Sequence, residues 1–345
     1  MAAGEATLIL AEGFSGDVHY GKTMRGVLRY RGEDVVAVLD SERAGESEAG
    51  VPIVATVAEG LAYRPRVALV GVATQGGRFP PAWRALLTEC VEAGLSIENG
   101  LHQMLADDPE LRPLAEACGV ELRDLRRPPH GLDCPTGENL EVDAAIVLTV
   151  GSDCAIGKMT VSLELDRAAR ARDVSSVFVP TGQTGIAIAG WGIAVDAVVA
   201  DFIAGAAERL VVEGRRRGGE LLLVEGQGSL VHPAYSGVTL GLLHGSAPHT
   251  LVLCHRAGAT EVEGYPGHPI PPLAELVALH ERASLPRRPA RVVAVAVNTA
   301  GLCEADAAAA VAAAAEETGL PAADPVRDGA DTLLAALLAA SRAMV

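Results

Sequence analysis

The stretch that decides the fold is VLTVGSDCAIGKMT, residues 147–160. An apolar run ends at Val150, as a strand covered on both faces would. Gly151, Ser152, Asp153, Cys154, Ala155, Ile156 and Gly157 then form a loop. Lys158, Met159 and Thr160 open the next segment, where Val161, Leu165 and Ala168 fall on one helical face. Strand, Gly-rich loop, Gly-Lys and helix, in that order, predict a phosphate-binding P-loop over Gly151–Thr160. Glycines let successive N–H groups curl around an anion, and the helix N-terminus adds partial positive charge. Lys158 would bridge terminal phosphate oxygens, and Thr160 would hold a magnesium ion. The loop departs from the usual GxxxxGK[ST] pattern in two ways. It is one residue longer counted from Gly151, and Met159 stands where a hydroxyl is expected. Phosphate binding is therefore better specified than any metal geometry.

Outward from the loop, short β-branched runs alternate with helical patterns. Ala6–Ala11, Val35–Leu39 and Val67–Val72 read as strands, with a helix over Ala82–Ala93. After the loop, Ser176–Val179, Leu221–Val224, Thr250–Cys254 and Val292–Val297 read as buried strands, with helices over Val195–Val212 and Pro272–Ala283. The segment RRPPHGLDCPTGENLEVD at 126–143 suits neither element. The fold expectation is α/β: a Rossmann-like parallel-sheet domain at 1–125, a linker at 126–143, and a P-loop NTPase-like α/β domain at 144–345.

Three further clusters carry candidate chemistry. LLLVEGQG places Glu225 at the C-terminal end of a strand, the ligand edge of a parallel sheet. With Asp153 and Thr160 it would organise magnesium. VPTGQTGIAIAGWG offers Thr181, Gln183 and Thr184 for substrate, weighed evenly against a tight turn with capping threonines. Gln227, Tyr235 and Ser236 would also meet substrate, and His232 is a candidate for proton transfer. Ser236 has no nucleophile-elbow context. Cys254-His255 makes a poor dyad, because neighbouring strand side chains point to opposite faces. Asn298, at the end of the last clear strand, would read a nucleobase edge or form a turn. Asp40 ends the second strand as a ribose-binding acid would, yet AEGFSGDVHYG is not GxGxxG. Lys22 and His102 are further polar candidates near strand-end loops.

Composition narrows the classes. The net charge is −16, from 44 acidic and 28 basic side chains. Such a chain repels nucleic acid and anionic membranes at long range. The six cysteines include no CxxC pair, which argues against a zinc site or disulfide framework and for a reducing cytoplasm. The start, MAAGEATLILAEGF, lacks a basic n-region. The Ala-rich stretch from Ala305 reads as a helix, since a membrane span needs roughly 20 apolar residues. A cytoplasmic homo-oligomer acting on a small-molecule substrate is the expectation.

The motifs GVATQGGRFPPAW, GLSIENGLH, VGSDCAIGKMT, PTGQTGIAIAG, VEGQGSLVHPAYSGVT and LHG resemble, over almost the whole chain, a bacterial and archaeal family long described as of unknown function. In it a Rossmann-like domain precedes a P-loop domain. One branch is known as D-glutamate N-acetyltransferase, which implies acyl transfer from acetyl-CoA. The P-loop half also resembles dethiobiotin synthetase and related amide-forming ligases. Gly151, Asp153, Gly157, Lys158 and Glu225 fall on their matching positions, which implies ATP, Mg2+ and an acyl or carboxy phosphate. The leading expectation is an ATP- and Mg2+-dependent transferase or ligase of a small amino or carboxylate metabolite, with Lys158 and Glu225 catalytic. The second is an acetyl-CoA-dependent N-acetyltransferase of an acidic amino acid such as D-glutamate, with Glu225 or a nearby His taking the amine proton. A nucleotide sensor without chemistry ranks third.

Overall fold

The computed structural model describes residues 4–17 and 20–342. The chain forms two compact units. One takes the chain up to Pro128 together with Gly182–Ala197; the other takes Pro129–Thr181 and the chain from Val198 onward.

The first unit contains β1 (Thr7–Leu10), α1 (Lys22–Arg31), β2 (Val35–Leu39), β3 (Ser47–Glu48), β4 (Val51–Val54), α2 (Val57–Leu61), β5 (Val67–Val70), α3 (Trp83–Glu92), β6 (Ser96–Asn99), α4 (Leu111–Cys118) and β7 (Leu122–Asp124). A returning helix, α6 (Gln183–Ala189), completes it. The sheet order is β3-β4-β2-β1-β5-β6-β7, parallel except for the edge strand β3. From β4 to β7 this is the strand order of dinucleotide-binding Rossmann sheets. The central strands TLIL and VALV are buried throughout, as expected where helices cover both faces. Met24, Val27, Leu28 and Arg31 line the buried face of α1 at helical spacing.

Two polar residues of this unit are engaged with its own chain. Asp40 accepts from the N–H groups of Gly13 (3.1 Å), Ser15 (2.9 Å) and Glu42 (3.1 Å), so the acid placed where a ribose would be met braces two loops instead. Gln183 Nε2 donates to the hydroxyls of Thr23 (3.0 Å) and Thr184 (2.8 Å). Gly100 lets that amide lie close: a Cβ there would stand 2.2 Å from Gln183 Oε1.

The second unit contains β8 (Ala145–Gly151), α5 (Lys158–Arg170), β9 (Ser176–Val179), α7 (Ile203–Arg216), β10 (Leu221–Val224), α8 (Ser236–Ser246), β11 (Thr250–Arg256), α9 (Leu273–Ala283), β12 (Arg291–Asn298), α10 (Glu304–Thr318), β13 (Ala322–Ala323) and α11 (Asp331–Arg342). Its six strands run parallel in the order β13-β12-β11-β8-β10-β9. The P-loop strand β8 is thus central, with β10 on one side and β11 on the other. Val147, Leu165, Val252, Leu333, Leu334 and Leu337 belong to one buried cluster that fixes α5 and α11 over one face.

One expected helix is corrected. The stretch Val195–Val212 begins as two short 3-10 turns, Val195–Ala197 and Ala200–Phe202, and the α-helix runs from Ile203 to Arg216. Val195, Val198 and Val199 lose rotamer freedom in a helix, which disfavours its first part. Arg215 and Arg216 suit the negative end and extend it. Among the described residues all six cysteines are free, and no helix is long and apolar enough to cross a membrane.

Candidate functional site

The loop leaves β8 at Gly151 and enters α5 at Lys158. Ala155 and Gly157 both have positive φ, 53° and 110°, which turns successive N–H groups to one side. No side chain caps α5, and its first turn carries no acidic residue. Its first N–H groups have no helical carbonyl to meet, so the loop ends in an anion-favouring helix terminus. Gly151 leaves room for two side chains: a Cβ there would lie 2.8 Å from Ile156 Cδ1 and 3.1 Å from Lys158 Nζ, and both tips would have to shift.

Lys158 is buried, and its ammonium donates to the Asp153 carbonyl at 2.6 Å. Burial pushes its pKa down, while Cys154, Cys254, Asp153 and Glu225 pull it up. A buried cation bonded to a neutral carbonyl could exchange it for an anionic acceptor, which makes the stronger hydrogen bond.

The neighbouring strand is pinned to the loop. Val224 of β10 pairs with Leu148 of β8. The Gly226 N–H donates to Thr149 Oγ1 at 2.9 Å, and Thr149 Oγ1 lies 3.2 Å from Ser162 Oγ of α5. Gly226 must lack a side chain, since a Cβ would stand 1.7 Å from the Thr149 carbonyl oxygen. Glu225 is buried; one carboxylate oxygen accepts the Thr181 N–H at 2.9 Å, and its main-chain carbonyl accepts the Thr181 hydroxyl at 2.7 Å. Gln227 Nε2 donates to the same hydroxyl at 3.3 Å. Glu225, Thr181 and Gln227 therefore form one group, whereas Gln183 and Thr184 belong to the first unit.

The acids expected to hold magnesium have other duties. Asp153 accepts from the N–H groups of Cys154 (2.6 Å) and Glu263 (2.8 Å). The potential ligand atoms that converge among the described residues belong to Asp153, Cys154 and His232, all within 4.8 Å of one another, and Glu225 is not among them. A thiol and an imidazole suit softer ions than magnesium. His232 Nδ1 accepts the Ala234 N–H at 3.1 Å, so the neutral ring carries its proton on Nε2 and presents a donor, where a metal needs a lone pair. Burial lowers the His232 pKa; Asp153 raises it and Lys158 lowers it. The arrangement fits an anion cradle better than a magnesium centre.

Asn298 braces the loop: its Nδ2 donates to the Ile156 carbonyl at 3.1 Å and its Oδ1 accepts the Ala300 N–H at 3.0 Å. Tyr235 stands 52 % exposed beside His232, and Ser236 begins α8. Met159 and Thr160, in the first turn of α5, are half-buried. His255, weighed in the sequence only as a partner of Cys254, instead places its Nδ1 2.9 Å from the buried Ser152 hydroxyl, and sequence reasoning missed Tyr265, whose ring centroid is 5.0 Å from that of His232. The pairing of β11 with β8 sets Cys254 against Gly151 and brings its neighbour His255 to the loop. Cys254 itself is buried, and burial pushes its thiol up to about 12, so the two are no dyad.

Comparison with known proteins agrees with this organisation. The profile described as "Domain of unknown function (DUF1611_C) P-loop domain" matches residues 133–334, and the "DUF1611_N Rossmann-like domain" matches residues 32–128. The chain is similar to a D-glutamate N-acetyltransferase from Tritonibacter scottomollicae, 36 % identical over 339 residues that cover 97 % of this chain and 99 % of that protein. It is similar to another from a Pseudoalteromonas species, 36 % identical over 283 residues, 82 % of this chain and 84 % of that protein. A crystal structure of a DUF1611 family protein from Anabaena variabilis superposes with a TM-score of 0.90 at 43 % identity, covering 97 % of this chain and 99 % of that one.

Proposed function

We propose that this chain, which belongs to the DUF1611 family of Rossmann-like plus P-loop proteins, is an N-acetyltransferase that takes its acetyl group from acetyl-CoA and delivers it to the amine of an acidic amino acid such as D-glutamate. The observation that carries the reading is the identity of 36 % to a D-glutamate N-acetyltransferase along nearly the whole of both chains. ATP-dependent ligation, the reading the loop pattern favours by itself, has the weaker support: Met159 replaces the hydroxyl beside the lysine, and Asp153 and Glu225 bind backbone N–H groups.

Acetyl-CoA supplies an activated acyl group: the amine nitrogen bonds to the thioester carbon, the carbon–sulfur bond breaks, and coenzyme A leaves as the thiol with a proton lost from the amine. The loop N–H groups and Lys158 would neutralise the coenzyme phosphates. His232 would offer its Nε2–H at the edge of the cradle. Glu225 would hold Thr181 and Gln227 in place. The pantetheine arm separates those phosphates from the thioester, so we assign Lys158, His232 and Glu225 to binding and positioning, in place of amine deprotonation.

The test is to incubate the purified protein with acetyl-CoA and a panel of D- and L-amino acids, following release of the coenzyme A thiol. Thiol release with an acidic amino acid and no ATP is expected. Release with none of the panel, together with chelator-sensitive ADP formation from ATP, would overturn the reading.

A further inference from the structure

We propose that the exposed ring of Tyr235 is the platform on which the adenine ring of the bound cofactor stacks; the inference rests on the acetyl-CoA reading above for the identity of that cofactor. An anion cradle selects phosphates and leaves the base unspecified. Asn298, the residue that the sequence offers for the base, is engaged at both ends of its amide. Recognition of the adenine ring falls to another part of the loop's surroundings.

The chain is poor in rings, with five Tyr, four Phe and two Trp in 345 residues. Two of the five tyrosines flank one imidazole beside the P-loop. Tyr235 lies 4.6 Å from His232, centroid to centroid, with the planes 32° apart; Tyr265 meets the same imidazole edge-on at 5.0 Å and 76°. His232 is itself buried and places a nitrogen within 4.8 Å of Asp153 and Cys154 in the loop. The succession from the loop through His232 to Tyr235 therefore ends in solvent, with one face of the tyrosine backed by imidazole and about half of the residue exposed.

The main chain that carries the ring is held on two sides. Tyr235 precedes α8, and its carbonyl accepts from the Thr239 hydroxyl at 3.4 Å. Gly228, with φ 66°, lets the chain pass beneath it: a Cβ there would stand 2.4 Å from the Tyr235 carbonyl and 3.2 Å from its Cβ. A solvent-facing π-surface one imidazole away from an anion cradle matches a planar base joined through ribose to phosphates. Adenine is common to coenzyme A and ATP, and the experiment separates the two.

The experiment is calorimetric titration of wild type, Tyr235→Ala and Tyr235→Phe with coenzyme A, 4′-phosphopantetheine and ATP. Tyr235→Ala is expected to weaken coenzyme A roughly tenfold, with Tyr235→Phe close to wild type and phosphopantetheine, which has no adenosine, unaffected by either change. Equal coenzyme A affinity in wild type and Tyr235→Ala would overturn the platform. So would an equal loss for coenzyme A and phosphopantetheine, which would mark a distorted cradle. Tyr235-dependent binding of ATP without binding of coenzyme A would keep the platform and overturn the acetyl-CoA reading. Wild type that binds none of the three ligands would overturn both.

Discussion

The Lys158 ammonium donates to the carbonyl oxygen of Asp153 at 2.6 Å, so the side chain folds back over the loop that precedes it. The residue is buried, and this bond offsets part of the cost of holding a cation there. A phosphate oxygen is a stronger acceptor than a neutral carbonyl. In the proposed reading the lysine serves binding, with the carbonyl as its partner until a phosphate arrives.

Lys158→Met keeps the apolar arm and removes the charge. A hydrogen bond to a charged group contributes roughly 1.5–3 kcal/mol, which corresponds to about a ten- to hundredfold rise in KM for acetyl-CoA. The melting temperature is expected to hold or rise, because a buried cation is exchanged for an apolar side chain. Steady-state kinetics and a thermal melt check the two halves. A variant with unchanged KM would remove Lys158 from the cradle.

Metal independence is the expectation from the duties of the acids. Asp153 and Glu225 hold backbone N–H groups, and His232 Nδ1 accepts the Ala234 N–H, which leaves the proton of the neutral ring on Nε2. Acetyl transfer is expected to proceed at the same rate after exhaustive treatment with EDTA. Met159→Thr, which restores the usual hydroxyl, is expected to confer no magnesium dependence. Activity abolished by EDTA and restored by Mg2+ would contradict the assignment.

Gly226→Ala tests the junction of β8 and β10. Its Cβ would penetrate the Thr149 carbonyl oxygen, a main-chain atom that cannot swing aside. Overpacking of this kind costs typically 1–3 kcal/mol and occasionally more. About 3 kcal/mol or above is expected in urea unfolding. A loss under about 0.5 kcal/mol would mean that the junction is looser than its geometry.

The sequence made the two sheets readable because their central strands are apolar runs: Val35–Leu39, Ser176–Val179 and Leu221–Val224 coincide with β2, β9 and β10. It hid β6 and β7, whose SIEN and LRD look polar, because Glu98 and Asn99 are buried polar residues of β6 that bond to Arg123 and Asp124 of the edge strand β7. The candidate site was legible where a local pattern marks it, as at Gly151–Thr160 and Glu225. It was illegible where residues distant in the chain meet. Ser152 and His255 are 103 positions apart, and only the adjacency of β8 and β11 brings them together. The same limit explains Gln183 and Thr184: a Gly- and Thr-rich turn looks alike whether it faces a ligand or, as here, bonds to Thr23.

Stability should depend on pH through imidazoles held neutral. His280 is buried in α9; its Nδ1 donates to the Leu276 carbonyl at 2.7 Å, and its Nε2 has no partner among the described residues. Burial lowers its pKa to about 4, against an ordinary value of 6.5. Burial, then Arg288, lowers His249 to about 4 as well, and its Nδ1 accepts the Ile146 N–H at 3.1 Å. With the folded pKa below the unfolded one, the unfolded chain binds more protons between those values. The contribution is therefore complete above about pH 6.5 and is lost as the pH falls toward 4. Each such imidazole gives a slope of up to about 1.4 kcal/mol per pH unit. Urea unfolding from pH 7 to pH 5 is the informative window, because ordinary carboxylates there remain mostly ionised. The unfolding free energy is expected to decline steadily across it, and His280→Leu to flatten the decline. A variant whose slope matched wild type would show that His280 is protonated as easily in the folded chain as in the unfolded one.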